Sequence, residues 1–281
     1  MAHRSRRMAL ATLLRVKVPN KMRYFKGYLD ISDDRDVPVL LLIRNARAIS
    51  FRQLRELLLF ERTETSRRSI DWRVARLEKH GLIQRVERDR FLGEPFFVIT
   101  PMGLRVLESR GHSLISLPST AEQIIHHSQV PHAIELTRIR LALSKHGLLR
   151  SWLSDIEIAS RNSILEPGSA KDFDAVAEIL VDGSLQTFAI EFERTPKGGA
   201  RYREIRQMLS RDRTVDVVLY LASERNVLHL LAEEMRAVQK RIGITLSDSF
   251  RQNPLEANTL VIGPGSEIVP FRALFAQHTR G

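Results

Sequence analysis

The chain of 281 residues contains no cysteine. That absence excludes a disulfide framework, thiolate zinc fingers, iron–sulfur clusters and a cysteine nucleophile. It also fits a reducing compartment. Long apolar runs are missing as well: none approaches the ~18 residues that span a bilayer. The start resembles a signal peptide only briefly, because its apolar stretch ends at Arg15-Val16-Lys17 with no small-residue cleavage site after it. A cytoplasmic protein with no membrane partner is the expectation. Neither a P-loop nor a Gly-x-Ser-x-Gly elbow occurs.

Acidic residues are absent from the first 26 positions, which carry Arg4, Arg6, Arg7, Arg15, Lys17, Lys21, Arg23 and Lys26. The excess of base is uneven along the chain. Positions 1–150 hold 28 basic and 15 acidic residues, whereas 151–281 hold 16 and 18. A basic half joined to a near-neutral one indicates that one part meets a polyanion and the other does something else. The expected organisation is a basic arm over 1–34, a domain over 35–110, a linker over 111–129 and a second domain over 130–281.

From Asp36 to about Ser109 the pattern reads helix, helix, helix, hairpin, helix. Ser50-Phe51-Arg52-Gln53 has the form of a capping box, opening a helix through Leu58. Thr65 or Ser66 caps a third helix, with Ile70, Val74 and Leu77 on one stripe and a stop at Gly81. Two β-type runs follow, Leu82–Arg88 and Pro95–Thr100, and Thr100-Pro101 starts a last helix. This order resembles a winged helix-turn-helix domain, which implies binding to double-stranded DNA. If the apolar stripe faces the core, the third helix presents Arg67, Arg68, Ser69, Trp72, Arg76 and Lys79 on its other side. Arginine there suits guanine in a major groove at roughly 1–3 kcal/mol per good contact. Arg85, Arg88 and Arg90 lie on or near the wing, suited to phosphates. The competing readings are a solvated basic face and a winged helix that binds protein.

In the second half, residues 131–146 read as an amphipathic helix and Trp152–Ala159 alternates like a strand. Asp172–Val181 and Leu185–Glu193 form a hairpin about Asp182-Gly183. An Arg-rich helix over about 200–210, a strand at Val215–Leu221 and a long helix from Arg225 to Arg241 come next, and Thr259–Gly263 adds strand. Alternation places Asp172, Asp174, Val176 and Glu178 on one face, with Phe173 and Ala175 on the other. Glu191 and Glu193 share a face of the partner strand. Three carboxylates so placed, Asp174, Glu191 and Glu193, repel one another unless exposed or neutralised. Their hard oxygens suit Mg²⁺ or Mn²⁺.

Phe173-Asp174 followed by Ala189-Ile190-Glu191-Phe192-Glu193 resembles the signature of the PD-(D/E)XK nuclease superfamily. Residues 190–195, with an arginine- and tyrosine-rich helix after them, are similar to the replication-relaxation family and to the MOBC class of plasmid relaxases. The resemblance implies an α+β chain, a winged helix followed by a nuclease-like α/β domain with a mixed sheet. It further implies a bacterial DNA nickase of plasmid mobilisation or replication that works with Mg²⁺ or Mn²⁺ at an origin. Other mobilisation proteins, or a second copy of the chain in a homodimer, are compatible partners.

Asp174, Glu191 and Glu193 match the metal-binding and catalytic positions, with Glu193 where lysine is commonest. Lys197 or Arg194 would then supply the missing cation, with Lys171 as a weaker choice. Glu135, three residues after His132 on a helix, would be an outer metal ligand, and Arg203 and Arg206 would hold the phosphate backbone. Tyrosine-class relaxases are excluded despite Tyr24 and Tyr28, since no His-x-His occurs, and His126 and His127 supply none. Two alternatives stand against cutting. One is a solvated acidic sheet face bridged to Arg201, Arg203 or Arg206. The other is a non-catalytic regulator of replication or transcription with a vestigial nuclease fold.

Overall fold

The computed structural model describes residues 30–64, 66–87, 94–112, 129–165, 171–263 and 265–276. Residues 1–29 of the basic arm, Arg88, Arg90, His126, His127 and almost all of the expected linker lie outside these residues. The chain is mixed α and β and divides near the expected linker into two units.

The first unit runs α1 (Asp36–Ala46), β1 (Ile49–Ser50), α2 (Phe51–Phe60), α3 (Arg67–Lys79), β2 (Ile83–Val86), β3 (Phe96–Ile99) and α4 (Pro101–Glu108). The caps read from the sequence form. Ser50 and Gln53 make a reciprocal capping box, with Ser50 N donating to Gln53 Oε1 at 3.1 Å. Ser66 accepts from Ser69 N, and Thr100 from Gly103 N. The ribbon strands are shorter than their β-type runs, and the two-residue β1, too short to leave a periodic signal, joins them in the order β1–β3–β2. Leu40, Ile43, Leu54, Ile70 and Leu77 are fully buried between the helices and this sheet.

Beneath that apolar core lies an ionic one. Arg73 on α3 donates to Asp36 Oδ1 at 2.6 Å and to Glu64 Oε1 at 2.5 Å. Arg76 closes on the other Asp36 oxygen, and the Ser32 amide reaches it at 2.9 Å. Burial pushes the Asp36 carboxyl up, but Arg76, the Ser32 amide and Arg73 outweigh burial and hold it below the usual aspartate range. A depressed folded pKa gives stability that is present above the unfolded value and lost as pH falls through the folded one. The first unit is therefore expected to lose stability below about pH 4, followed by Trp72 fluorescence in a Trp152→Phe background. A slope of stability against pH identical in Asp36→Asn would sink this prediction.

The second unit runs α5 (Val130–Lys145), β4 (Leu149–Ser154), α6 (Asp155–Leu165), β5 (Ala175–Val181), β6 (Ser184–Glu193), α7 (Gly199–Arg211) and β7 (Val217–Ala222). It continues with α8 (Arg225–Met235), β8 (Arg241–Leu246), α9 (Ser247–Gln252), β9 (Asn258–Ile262), β10 (Glu267–Pro270) and a 3-10 turn at Phe271–Phe275. Its seven strands form one sheet in the order β10–β9–β8–β7–β6–β5–β4. The β6–β7 and β7–β8 pairs are parallel and the others antiparallel. One face packs Ile158, Tyr202, Ile205, Leu209 and Leu231 from α6, α7 and α8. The other packs Ile139 and Leu143 of α5, Phe250 of α9, and Phe271 and Leu274. No helix of the described residues is long and apolar enough to cross a membrane.

Four expectations change here. The alternating Trp152–Ala159 run splits at Ser154, where Ser154 and Glu157 form reciprocal hydrogen bonds that open α6. The first hairpin strand begins at Ala175 rather than Asp172, so Phe173 breaks the alternation and packs with Val176 and Tyr220 instead of Ala175. The helix from Arg225 stops at Met235, because Ile242 and Ile244 are buried as strand residues beside β7. Finally, α5 is buried well beyond one stripe, Glu135 and Thr137 included. The hairpin turn does form at Asp182-Gly183, both residues with positive φ (48° and 81°) as a type I′ turn requires.

Candidate functional site

On the first unit, α3 turns outward part of the face read from its phase. Arg67, Arg68 and Lys79 are exposed, and Trp72 is 54% exposed. Arg76 departs from that reading. Its guanidinium lies 5.1 Å above the Trp72 ring but turns inward to Asp36 and to Asp30 O, leaving its side chain 10% exposed. Ser69 is likewise engaged, its hydroxyl donating to Glu64. The cause is Asp36 at the head of α1, a partner 40 positions away that helical phase cannot reveal. Arg85 pairs with Glu87 at 2.8 Å at the base of the ribbon.

On the second unit, the β5–β6 register (Ala175 opposite Ile190) brings Asp174 to the end of β6. Asp174 Oδ2 accepts from the Phe192 amide at 2.8 Å, and its Oδ1 faces His132 Nε2 at 3.2 Å. Glu191 and Glu193 are buried on the α7 side of the sheet, beside Tyr220 in the parallel register Glu191–Tyr220. Lys171 bonds Glu191, and Lys197 bonds Glu193. Glu191 and Glu193 are thus neither solvated nor bridged to arginine, whereas Asp174 keeps 26% of its side chain exposed. Tyr202, Ile205 and Leu209 turn α7 inward, so Arg201 pairs with Glu204, Arg206 with Glu234, and Arg203 is exposed.

Electrostatics separate the two central carboxyls. Burial raises Asp174, but the His132 bond and charge, the Phe192 amide and Lys171 outweigh it and hold it low. Burial raises Glu191; Lys171 opposes this, and the negative charge of Asp174 adds to the rise. His132 is lowered by burial yet lifted overall by Asp174, Glu191 and Asp155. A carboxyl held low beside an imidazole pushed up suits separate ionised and proton-holding roles.

The replication-relaxation family matches residues 40–197, more than half of the sequence, including Asp174, Glu191, Glu193 and Lys197. The chain belongs to the replication-relaxation family. Membership points to a role in replication or mobilisation. No curated protein matches it. The restriction endonuclease FokI is similar at 12% identity and a TM-score of 0.29, over 86% of this chain and 49% of its own. The replication-relaxation protein thus spans about half the length of that enzyme, and a likeness of that degree establishes no shared fold.

The donor chemistry of Asp174, Glu191 and Glu193 is that of a hard-cation site. Their arrangement in the replication-relaxation protein is not. Both Asp174 oxygens are engaged, Glu191 and Glu193 each hold a lysine, and among the described residues no three His, Asp or Glu side chains converge to hold a metal ion. Glu135 is separately committed, facing Arg251 at 2.8 Å and Arg138 at 3.2 Å. The residues as arranged therefore do not fit a three-carboxylate metal centre.

Two residues outside the predicted catalytic set complete the site. His132 reaches Asp174 from α5 and packs against Phe192, the two rings tilted with centroids 5.4 Å apart. In the sequence His132 stands out only as a histidine on one helical face with Glu135, a pattern more often found at a surface or a satisfied interface. Tyr220, on β7, brings a buried hydroxyl with no partner among the described residues. Nothing in its apolar run marks it.

Proposed function

We propose that this chain is a DNA-nicking protein of replication or plasmid mobilisation. In this reading the first unit is a winged-helix reader of double-stranded DNA at an origin, and the second breaks one phosphodiester bond. The observation that carries the reading is the convergence of Asp174 and buried Glu191 at the end of β6, with His132 and the Phe192 amide on Asp174 and Lys171 on Glu191. Ionised Asp174 suits orientation of an attacking water, and His132, whose hold on a proton is raised by its carboxylate neighbours, suits the leaving oxygen. Arg67, Arg68, Trp72 and Lys79 of α3 are the exposed groups for the duplex, with phosphate contacts making the binding salt-dependent. A requirement for Mg²⁺ or Mn²⁺ belongs to the proposal as a variable of its test.

The second reading is a sequence-specific regulator that does not cut. The internal pairing of all three carboxylates favours it, since each already has a partner inside the protein.

Supercoiled plasmid carrying the protein's own origin region separates the two. Wild type with Mg²⁺ or Mn²⁺ is expected to relax it, and Glu191→Ala to do so at least roughly 100-fold more slowly while binding DNA equally well. Arg68→Ala with Lys79→Ala should weaken binding roughly 10–100-fold without touching the cutting site. Failure of wild type and Glu191→Ala alike to relax plasmid that both proteins bind would establish the regulator reading.

A further inference from the structure

Position 193 holds glutamate, so β6 carries no cation two residues beyond Glu191. A side chain at that position would share Glu191's face of the strand. Another segment reaches the same carboxylate. Lys171 lies three residues before Asp174, on the stretch leading into β5, and antiparallel pairing lays that stretch beside the end of β6. Its side chain is 5% exposed, its Nζ bonds Glu191 Oε1, and the ammonium sits 4.5 Å from the centre of the Phe173 ring. A charge so desolvated is held by its partner and acts on nearby charge more strongly than one in water. Lys197, by contrast, is 37% exposed and spent on Glu193. The Tyr220 hydroxyl, on a side chain 1% exposed and next to Glu191 in register, remains unpartnered. A buried donor without an acceptor beside a lysine–glutamate pair indicates a spot built to receive an oxygen-bearing group.

We infer that Lys171 is the positioning cation of this site, supplying from the stretch that leads into β5 the cation absent at position 193, with the Tyr220 hydroxyl as its neutral companion. Lys171 fixes the orientation of the Glu191 carboxylate and places a positive charge beside the phosphoryl group, and Tyr220 donates to the group bound there. The inference rests on the nicking reading and assigns the part that the second motif lacks.

The test moves the charge. Lys171→Met is expected to nick roughly 100-fold more slowly than wild type, with origin binding unchanged. Lys171→Met/Glu193→Lys, which returns the cation to the strand of Glu191, is expected to recover at least about a tenth of wild-type nicking, a rescue that lost packing does not explain. Nicking by Lys171→Met within about threefold of wild type, or a folded double variant as slow as the single one, overturns the assignment. Should Lys171→Met not fold, ¹⁵N spectra of the lysine ammonium groups in the full chain decide. Slowly exchanging ammonium resonances are expected in wild type from Lys171 and from Lys240, which is buried on Asp212, and only that of Lys171 should vanish in Glu191→Gln; a wild type with no resonance that depends on Glu191 also overturns the assignment. A wild type that binds DNA without nicking it, yet shows that resonance, instead brings down the nicking reading, so the two failures are distinct.

Discussion

Arg73→Met should destabilise the first unit by about 3–5 kcal/mol, the usual cost of removing one partner from a buried ionic network. Arg73 lies on α3 between Ile70 and Val74, and its side chain is only 6% exposed. Its guanidinium bonds both Asp36 and Glu64, which are themselves buried. Methionine fills a similar volume, so the loss comes from charge rather than from a cavity. Asp36 keeps Arg76 and the Ser32 amide; Glu64 keeps only the Ser69 hydroxyl among the bonds described. Urea unfolding of the full chain measures the effect through Trp72, one of two tryptophans, once Trp152 is replaced by phenylalanine. Adding Glu64→Gln should return part of the lost stability, because the orphaned charge is then gone. A loss under about 1 kcal/mol, the range of an exposed pair, would show the network to be solvated.

Gly103→Ala should cost about 2–3 kcal/mol in the same unit, although alanine ordinarily improves a helix. A methyl group at this position of α4 would meet Leu82 O at 2.2 Å and Ile99 Cδ1 at 2.7 Å. The isoleucine end can turn aside. The carbonyl cannot, because Leu82 O accepts from the Thr100 amide and hydroxyl at the start of the same helix. Relief therefore requires α4 to lift from the ribbon, uncovering Val106 and Leu107. Gly199→Ala is the comparison: that glycine begins α7 with nothing within 4 Å, and its replacement should be neutral or stabilising. Thermal melts of both variants check the pair, and equal melting temperatures would rule out the close approach of α4.

These two positions also show what a sequence does and does not disclose. Local chemistry was readable: the Ser50–Gln53 box, the Ser66 and Thr100 caps and the Asp182-Gly183 turn all act within a few residues. Alternation also put Glu191 and Glu193 on one face, away from Ile190 and Phe192. Partners distant in sequence were not readable. Arg76 sits on the outward side of α3 by phase, yet Asp36 draws it in. Asp174 and Glu191 could be paired from the hairpin, but the choice of Lys171 over Lys197 for Glu191 depends on where the chain enters β5. His132 and Tyr220 arrive on α5 and β7, elements whose approach no spacing within the hairpin encodes. The α6 start is a different case. Ser154 and Glu157 have capping-box spacing, but the alternating residues around them also fit a strand, and tertiary packing settled the conflict.

One property of the hairpin bears on how the second unit assembles. Lys171, Asp174, Glu191, Glu193 and Lys197 all fall within a single stretch closed by a two-residue turn, whereas β6 meets β7 only after α7 has crossed over. Contacts between nearby residues form faster than parallel pairings across a long connection. The hairpin can therefore neutralise Glu191 and Glu193 with its own lysines before β7 covers them. Counter-charges carried on the same segment let these carboxylates enter the interior as paired groups, so the slow parallel half docks onto a surface already free of bare charge.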